Sequence, residues 1–370
     1  MTDAPFEIFL ACPPGLEPLL REEAAEAGFV APLAVAGGVT VQGEWSEVWR
    51  ANLHLRGAAR VLARVAEFRA PHLAQLDKRA RRVDWAGLIA PGTPVRVEAT
   101  CRRSKIYHDR AAAQRIARAV ADAVGPLEEG AEPLRLAARI EDDLCTISLD
   151  TSGAPLHQRG TKQAVGKAPL RETLAALFLR ACFYRGSEPV VDPMCGSGTI
   201  VLEAAAIAAG LAPGRARGFA FERLATFDAA GWGAMREAAP PPKPDLRLYG
   251  YDRDQGAIRA AEANAGRAGV AELTAFACQP ISALERLAGP PGLVLVNPPY
   301  GGRIGNARLL HALYGTLGEV LRARFAGWRV GVITSEPGLA RATGLPFAET
   351  GPPVPHGALK IRLYRTSALP

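Results

Sequence analysis

"PVVDPMCGSGTIVLEAAAIAAG", residues 189–210, decides the reading of the fold. A short apolar run ends in Asp192 and Pro193. Gly196 and Gly198 then stand in a tight turn, and an alanine-rich helical stretch follows. Glycines let a backbone or ligand approach closely, and a helix starting there offers free N–H groups. Further apolar strands read at "RLYGYD" (247–252), "ELTAFAC" (272–278), "LVLVNPPY" (293–300) and "WRVGVITS" (328–335). Helical patterns lie between them at 257–269, where Gly269 is a C-cap, and at 309–325. Continuous apolar strands separated by helices predict an α/β parallel sheet covered on both faces. "ALKIRLYRTS" (358–367) is expected to pair antiparallel at the end of that sheet.

The preceding half reads differently. "FEIFLACPP" and "GGVTVQG" look like strands around a helix at "LEPLLREEAAEAG". A strand at "TPVRVEATC", a helix at "RAAAQRIARAVADAVG" and a hairpin from "LRLAARI" to "CTISLDT" follow. That pattern is α+β, with too few helical crossovers for a second doubly wound sheet. The boundary falls within 152–169, where Gly, Pro and basic residues break the periodicity. "PPPKP" (240–244) reads as a surface loop.

A length of 370 residues and a hydrophobic content of 48% leave ample material for a core in two or three domains. No apolar run approaches the ~20 residues of a membrane span, and the first residues lack a basic leader, so a cytoplasmic location is expected. The six scattered cysteines suit reduced thiols, and neither they nor the histidines show metal-ligand spacing. The formal net charge of +7 favours an anionic partner. Basic clusters stand at "KRARR" (78–82), at "CRRSK" (101–105, with Arg102, Arg103 and Lys105), and at Arg159, Lys162, Lys167 and Arg171. Singly each fits a solvated face; several together suit a nucleic-acid surface.

The chemistry concentrates at strand ends. A third fingerprint glycine would fall on Val201, so a dinucleotide motif is absent, as is a phosphate loop. Asp192 beside the turn would repel a pyrophosphate but suits a cationic, zwitterionic ligand such as S-adenosylmethionine. Asp252, closing the next strand, suits the two hydroxyls of a ribose. The long interval between these acids implies an insertion at about 211–246. In "VLVNPPYGGRIG" (294–305), Pro298 and Pro299 stop the strand and form a rigid bracket beside Asn297 and Tyr300. The plainer alternative is a strand that simply ends in a proline-rich loop.

"DPMCGSGTI", "GYDRDQGAIRAAEANA" and "NPPYGGRIG", in that order, resemble class I S-adenosylmethionine-dependent methyltransferases acting on exocyclic amines. "ACPPGLEPLLREE", "YHDRAAAQRIARAV", "APLRETLAA" and "FAFERLATFDAAGW" extend the resemblance to THUMP-domain RNA methyltransferases. The chain resembles the 23S rRNA guanine-N2 methyltransferases of the RlmL family, without their fused second methyltransferase. The resemblance implies a ferredoxin-like domain at 1–64 and a THUMP-like RNA-binding domain at 65–157. A linker with a helix follows at 158–188, then a Rossmann-like class I methyltransferase domain at 189–370.

It also implies roles. Asp192, Pro193, Cys195, Gly196, Gly198 and Thr199 would form the cofactor turn, Asp252 would hold the ribose, and Gln279 would lie near the adenine. Asn297, with the Pro298–Pro299 bracket, would orient the target amine, and Tyr300 would stack on the base. Arg102, Arg103, Lys105, Arg159 and Lys162 would contact RNA, expected to be 23S rRNA or a ribosome-assembly intermediate engaged by a monomer. Relatives carry an acidic residue after the third strand, where this chain has "CQPIS"; Gln279, Ser282 or a backbone carbonyl would substitute. Their R-G-Y-R linker corresponds to Arg159, Gly160, Thr161 and Lys162, which keeps the charge and loses the aromatic. The amine motif leaves other targets open: a tRNA guanine, a protein glutamine or a DNA adenine. A non-catalytic ribosome-assembly protein is the alternative outside enzymes.

Overall fold

The computed structural model describes residues 5–125, 132–162, 170–237, 242, 244–301 and 307–370. Lys167, most of the 240–244 proline loop and residues 302–305 of the amine motif lie outside them. The chain divides into two compact units: residues 1–12, 21–156 and 217–238 in the first, and 13–20, 157–216 and 239–370 in the second.

In chain order the first part of the sequence forms β1 (Phe6–Ala11), α1 (Glu17–Glu26), β2 (Val30–Val35), β3 (Gly38–Gly43) and α2 (Trp45–His54). Then come β4 (Arg60–Arg69), α3 (Leu73–Ala80), α4 (Trp85–Leu88), β5 (Val95–Arg102), α5 (Asp109–Val124), β6 (Leu134–Glu141) and β7 (Leu144–Asp150). Among the described residues a seven-stranded sheet runs β2-β3-β1-β4-β7-β6-β5, antiparallel except for the β5–β6 pair. Ile8, Leu10, Val39, Val61 and Leu136 supply its core. β5 alternates half-buried and exposed residues strictly, as an edge strand with one solvated face does.

The expected division at 64/65 falls inside β4, which pairs with β1 on one side and β7 on the other, so the sheet is continuous there. β4 escaped the sequence reading because its register shifts between Arg64 and Ala66, and the bulge interrupts the two-residue period.

The second unit contains α6 (Glu172–Ala181), β8 (Val190–Asp192) and α7 (Thr199–Ala208). Helix α8 (Ala229–Arg236) follows in sequence but belongs to the first unit. The second unit resumes with β9 (Leu248–Asp252), α9 (Gln255–Ala268), β10 (Thr274–Cys278), β11 (Leu293–Val296) and α10 (Ala307–Arg324). It ends with β12 (Arg329–Thr334), α11 (Pro337–Ala342), β13 (Phe347–Thr350), β14 (Val354–His356) and β15 (Leu359–Thr366). Its sheet runs β10-β9-β8-β11-β12-β15-β13, with β14 paired to β15. The first five strands are parallel, and every residue of β11 is buried, as a sheet covered on both faces requires. β15 is antiparallel as expected but does not end the sheet: β13, a four-residue strand with mostly exposed side chains, pairs outside it. α9 is capped by Asp254, whose carboxylate accepts from the Gly256 N–H at 2.6 Å, and Gly269 closes it.

The insertion expected at 211–246 does exist, but residues 217–238 are built into the first unit. Phe221 stacks against Trp49 of α2, with centroids 6.1 Å apart, and meets Trp232 of α8 edge-on at 5.0 Å. Arg217 donates to the carbonyls of Ser152, Ala154 and Pro155, at 3.1, 2.6 and 2.8 Å. Aromatic burial with satisfied main-chain acceptors is what holds the segment there.

In the second unit α10 meets α11 at Gly318, where a Cβ would fall 1.7 Å from the Thr343 carbonyl oxygen. Gly318→Ala should therefore destabilise the protein by about 1–3 kcal/mol or more through overpacking. On the same helix the nearest atom to a Cβ at Gly315 is 3.9 Å away, so Gly315→Ala should be neutral or stabilising by up to ~1 kcal/mol. Urea denaturation of the two variants checks this; equal midpoints would refute the close helix approach.

Candidate active site

Four adjacent parallel strands, β10, β9, β8 and β11, end along one edge of the second sheet. Asp192 closes β8 and Asp252 closes β9, while Gln279 and Asn297 each stand one residue beyond β10 and β11. Ligands of open α/β sheets bind at this carboxyl edge. Sequence positions more than a hundred residues apart thus meet because each terminates a strand.

The glycine turn is tied to the neighbouring strand. The Cys195 N–H donates to the Tyr251 carbonyl at 2.8 Å, and the Gly196 N–H to Asp252 Oδ2 at 3.0 Å. Asp252 Oδ1 accepts from the Asp254 N–H at 3.0 Å. Each carboxylate oxygen retains a second lone pair for a ligand hydroxyl. Gly196 and Gly198 have φ of 53° and 86°, a region that costs other residues dearly. A Cβ on Gly196 would meet nothing within 4 Å, so the turn faces open space there. At Gly198 it would press on the Ala261 Cβ at 3.1 Å.

Asp192 is 2% exposed, and its Oδ1 accepts from the Met194 N–H at 3.1 Å. Burial pushes its pKa up to about 8; the Met194 N–H opposes the rise and nearby Asp252 adds to it. Burial likewise raises the Cys195 thiol, with Asp192 and Asp252 adding to the effect, which makes this cysteine a filler of the turn and not a nucleophile.

Behind the turn lies a support that the sequence reading did not identify. Asn264 of α9 donates from Nδ2 to the Ser197 carbonyl at 3.1 Å. Arg267 donates to Asn264 Oδ1 and, at 3.1 Å, to the Thr161 carbonyl. The available signal was an asparagine on the face otherwise made by Ile258, Ala261, Ala265 and Ala268. A buried amide on an apolar face needs a partner.

Arg159 and Lys162 are corrections. Both were expected to meet RNA, yet their side chains are only 8% and 9% exposed. Arg159 pairs with Glu203 at 3.2 Å. Lys162 Nζ donates to Thr199 Oγ1 at 2.6 Å and pairs with Glu172 at 3.2 Å. Both cations are engaged by carboxylates and largely covered, not displayed as the solvated basic patch the sequence suggested.

The amine motif is held by groups remote in sequence. Tyr314 of α10 donates to the Pro299 carbonyl at 3.3 Å, and the Gly301 N–H donates to Glu336 Oε1 at 2.8 Å. Pro298 is buried. Asn297 Oδ1 is buried and has no hydrogen-bond partner among the described residues. Tyr300, expected to stack on a base, is 0% exposed; the pinned turn keeps its ring in the interior. Gln279 is half-buried, and its N–H donates to the Asp252 carbonyl at 2.9 Å.

In the first unit Arg102, Arg103 and Lys105 are exposed. Arg103 is partly neutralised by Glu141 at 2.6 Å and Asp142 at 3.3 Å. The Lys105 N–H donates to Asp143 Oδ1 at 2.8 Å, leaving its ammonium group at the surface. Tyr107 next to them is 74% exposed. The cluster is a mixed-charge surface with an aromatic, less basic than its sequence suggests.

The raised pKa of Asp192 has a defined sign. The folded state prefers the protonated carboxyl, so its contribution is full below the unfolded pKa and is lost as pH rises through about 8. Stability of the free protein should fall between pH 4 and 8, and Asp192→Asn should flatten that slope. Denaturation midpoints across this window check it; identical pH profiles for both proteins would contradict it.

Residues 159–348, just over half of the chain, match the RMKL-like methyltransferase domain family, and residues 7–62 match the RlmL ferredoxin-like domain. The chain is 39% identical over 386 aligned residues to the ribosomal RNA large subunit methyltransferase K/L of Syntrophotalea carbinolica, covering 98% of this chain and 53% of that protein. It therefore spans about half the length of the curated relatives it matches. Among solved structures, SMU.472 complexed with SAH is 25% identical with a TM-score of 0.88, covering 99% of each chain. A predicted N6-adenine-specific DNA methylase from Listeria monocytogenes is 29% identical with a TM-score of 0.89, covering 99% of this chain and 97% of that one. With its glycine turn, paired strand-end acids and Asn297 bracket carried on a matching fold, the chain belongs to the RMKL-like methyltransferase family.

Proposed function

We propose that the chain is a methyltransferase that uses S-adenosylmethionine to methylate the exocyclic N2 amine of a guanine in RNA, in 23S rRNA. The observation that carries this reading is Asn297 Oδ1, buried and without a hydrogen-bond partner among the described residues, at the same sheet edge as Asp192 and Asp252. A buried acceptor left without a donor is costly, so it is kept for a donor that arrives with a ligand. The open space at Gly196 and the strand-end carboxylates fit the cofactor. The SAH-bound relative supports the same ligand class, and the rRNA methyltransferase relatives support the RNA substrate.

S-adenosylmethionine supplies an electrophilic methyl group on a sulfonium centre. The protein's part is placement. Asp252 would accept from the ribose hydroxyls with its remaining lone pairs, and Gln279, one residue beyond β10, would serve the adenine. Asp192 would serve the cationic part through its charge, and a positive ligand nearby would return its carboxyl to the ionised form. The nucleobase amine is a poor nucleophile because its lone pair is delocalised into the ring. Asn297 Oδ1 and the Pro298 carbonyl accept its two N–H bonds and turn the lone pair toward the methyl, so alignment does most of the catalysis. Stacking by Tyr300 requires the 299–301 turn to open. On the RNA side Arg102 and Lys105 attract the backbone, while Arg103 must first leave its acids.

The likeness to a predicted N6-adenine-specific DNA methylase favours a second reading, an adenine N6 target, because that base presents the same planar NH₂ group. Nucleoside mass spectrometry after incubation with labelled cofactor separates the two. N2-methylguanosine from ribosomal RNA is expected; methyl label confined to adenine would replace the first reading with the second.

Two site variants test the assignment of roles. Asp252→Ala should weaken SAH binding about ten- to a hundredfold, the worth of a charged hydrogen-bonding partner. Asn297→Ala should keep cofactor affinity and thermal stability while losing at least about a hundredfold in single-turnover rate. A stable Asn297→Ala protein with near-normal turnover would defeat the amine-orienting role.

A further inference from the structure

We propose that Lys162 is a cofactor-binding residue whose ammonium group recognises the carboxylate of the amino-acid arm of S-adenosylmethionine. The inference rests on the cofactor reading above and concerns a group that the sequence assigned to RNA.

The ammonium sits 2.6 Å from the hydroxyl of Thr199, the first residue of the ten-residue helix α7. That residue directly follows the glycine turn whose open side lies at Gly196. A cation is poorly placed at a helix N-terminus, where the helix dipole is positive. It also carries a desolvation cost, since its side chain is 9% exposed. Glu172 at 3.2 Å offsets part of that charge. An ammonium has three donors, and among the described residues Thr199 and Glu172 take two of them. The third suits an anion that arrives with a ligand.

The cofactor presents four things to be recognised: a ribose, a sulfonium, an ammonium and a carboxylate. Asp252 and Asp192 serve the first three by charge or hydrogen bonding, and neither can hold the fourth. An anion at this point would meet the N–H groups at the start of α7 and the Lys162 ammonium together, which is the usual way a carboxylate is held. Arg159, the neighbouring buried cation in sequence, is engaged by Glu203.

The test is calorimetry with three ligands: SAH, its carboxyl methyl ester, and 5′-methylthioadenosine, which lacks the amino-acid arm. Wild-type protein should bind the ester at least tenfold more weakly than SAH. Lys162→Met should weaken SAH about ten- to a hundredfold, leave 5′-methylthioadenosine within twofold, and bring the ester-to-acid ratio near one. Lys162→Arg, which keeps the charge should the Met variant not fold, should preserve most of the preference for the acid. Equal weakening of SAH and 5′-methylthioadenosine in Lys162→Met would show a structural role and overturn the proposal. So would an ester that binds wild-type protein as well as SAH does. If wild-type protein binds none of the three ligands, the cofactor reading itself fails, a result distinct from the loss of Lys162's role.

Discussion

The hydrogen bond from the Gly196 N–H to the Asp252 carboxylate is the constraint around which the candidate site is arranged. It ties the turn after β8 to the end of β9, and the Cys195 N–H repeats the tie to the Tyr251 carbonyl. The pair fixes the turn that leads into α7 against the end of β9, and Asp192 lies buried at the foot of the same turn. The same bond orients Asp252, whose remaining lone pairs then point out of the strand end. Asn264 secures the far side of the turn, so the loop is held from the strand and from the helix at once.

Much of this was legible because it depends on local pattern. Apolar runs ending in Asp192, Asp252 and Asn297 announce strand ends, and parallel pairing in a covered sheet brings such ends to one edge. Gly269 at the close of α9 followed from capping chemistry alone. Among the described residues four strands escaped notice: β4, whose period a bulge interrupts, β2 and β13, which have few buried side chains to betray them, and β14, which is only three residues long.

Charges were read less well than strands, and the reason is physical. Sequence shows that a residue is cationic but not which carboxylate will cover it. Arg159 and Lys162 looked like part of a basic linker, and folding placed Glu203 and Glu172 against them. Arg103 kept its exposure but acquired Glu141 and Asp142 from the neighbouring hairpin. Tyr300 shows the same limit for aromatics: a ring beside two prolines could face a ligand or the interior, and two hydrogen bonds remote in sequence, from Tyr314 to the Pro299 carbonyl and from the Gly301 N–H to Glu336, decide between them.

The interleaving of the two units bears on how the protein is made. The first unit lacks residues 217–238 until well after residue 156 has been synthesised, a wait on the order of 5–15 seconds at ~5–20 residues per second. Throughout that interval Trp49 is without Phe221 and Phe227, so an apolar face of α2 stands open on the nascent chain. The second unit meanwhile lacks all of its later strands. A chain cut near residue 157 would lack residues 217–238 of the first unit, so simple truncation there is an unpromising way to isolate that unit.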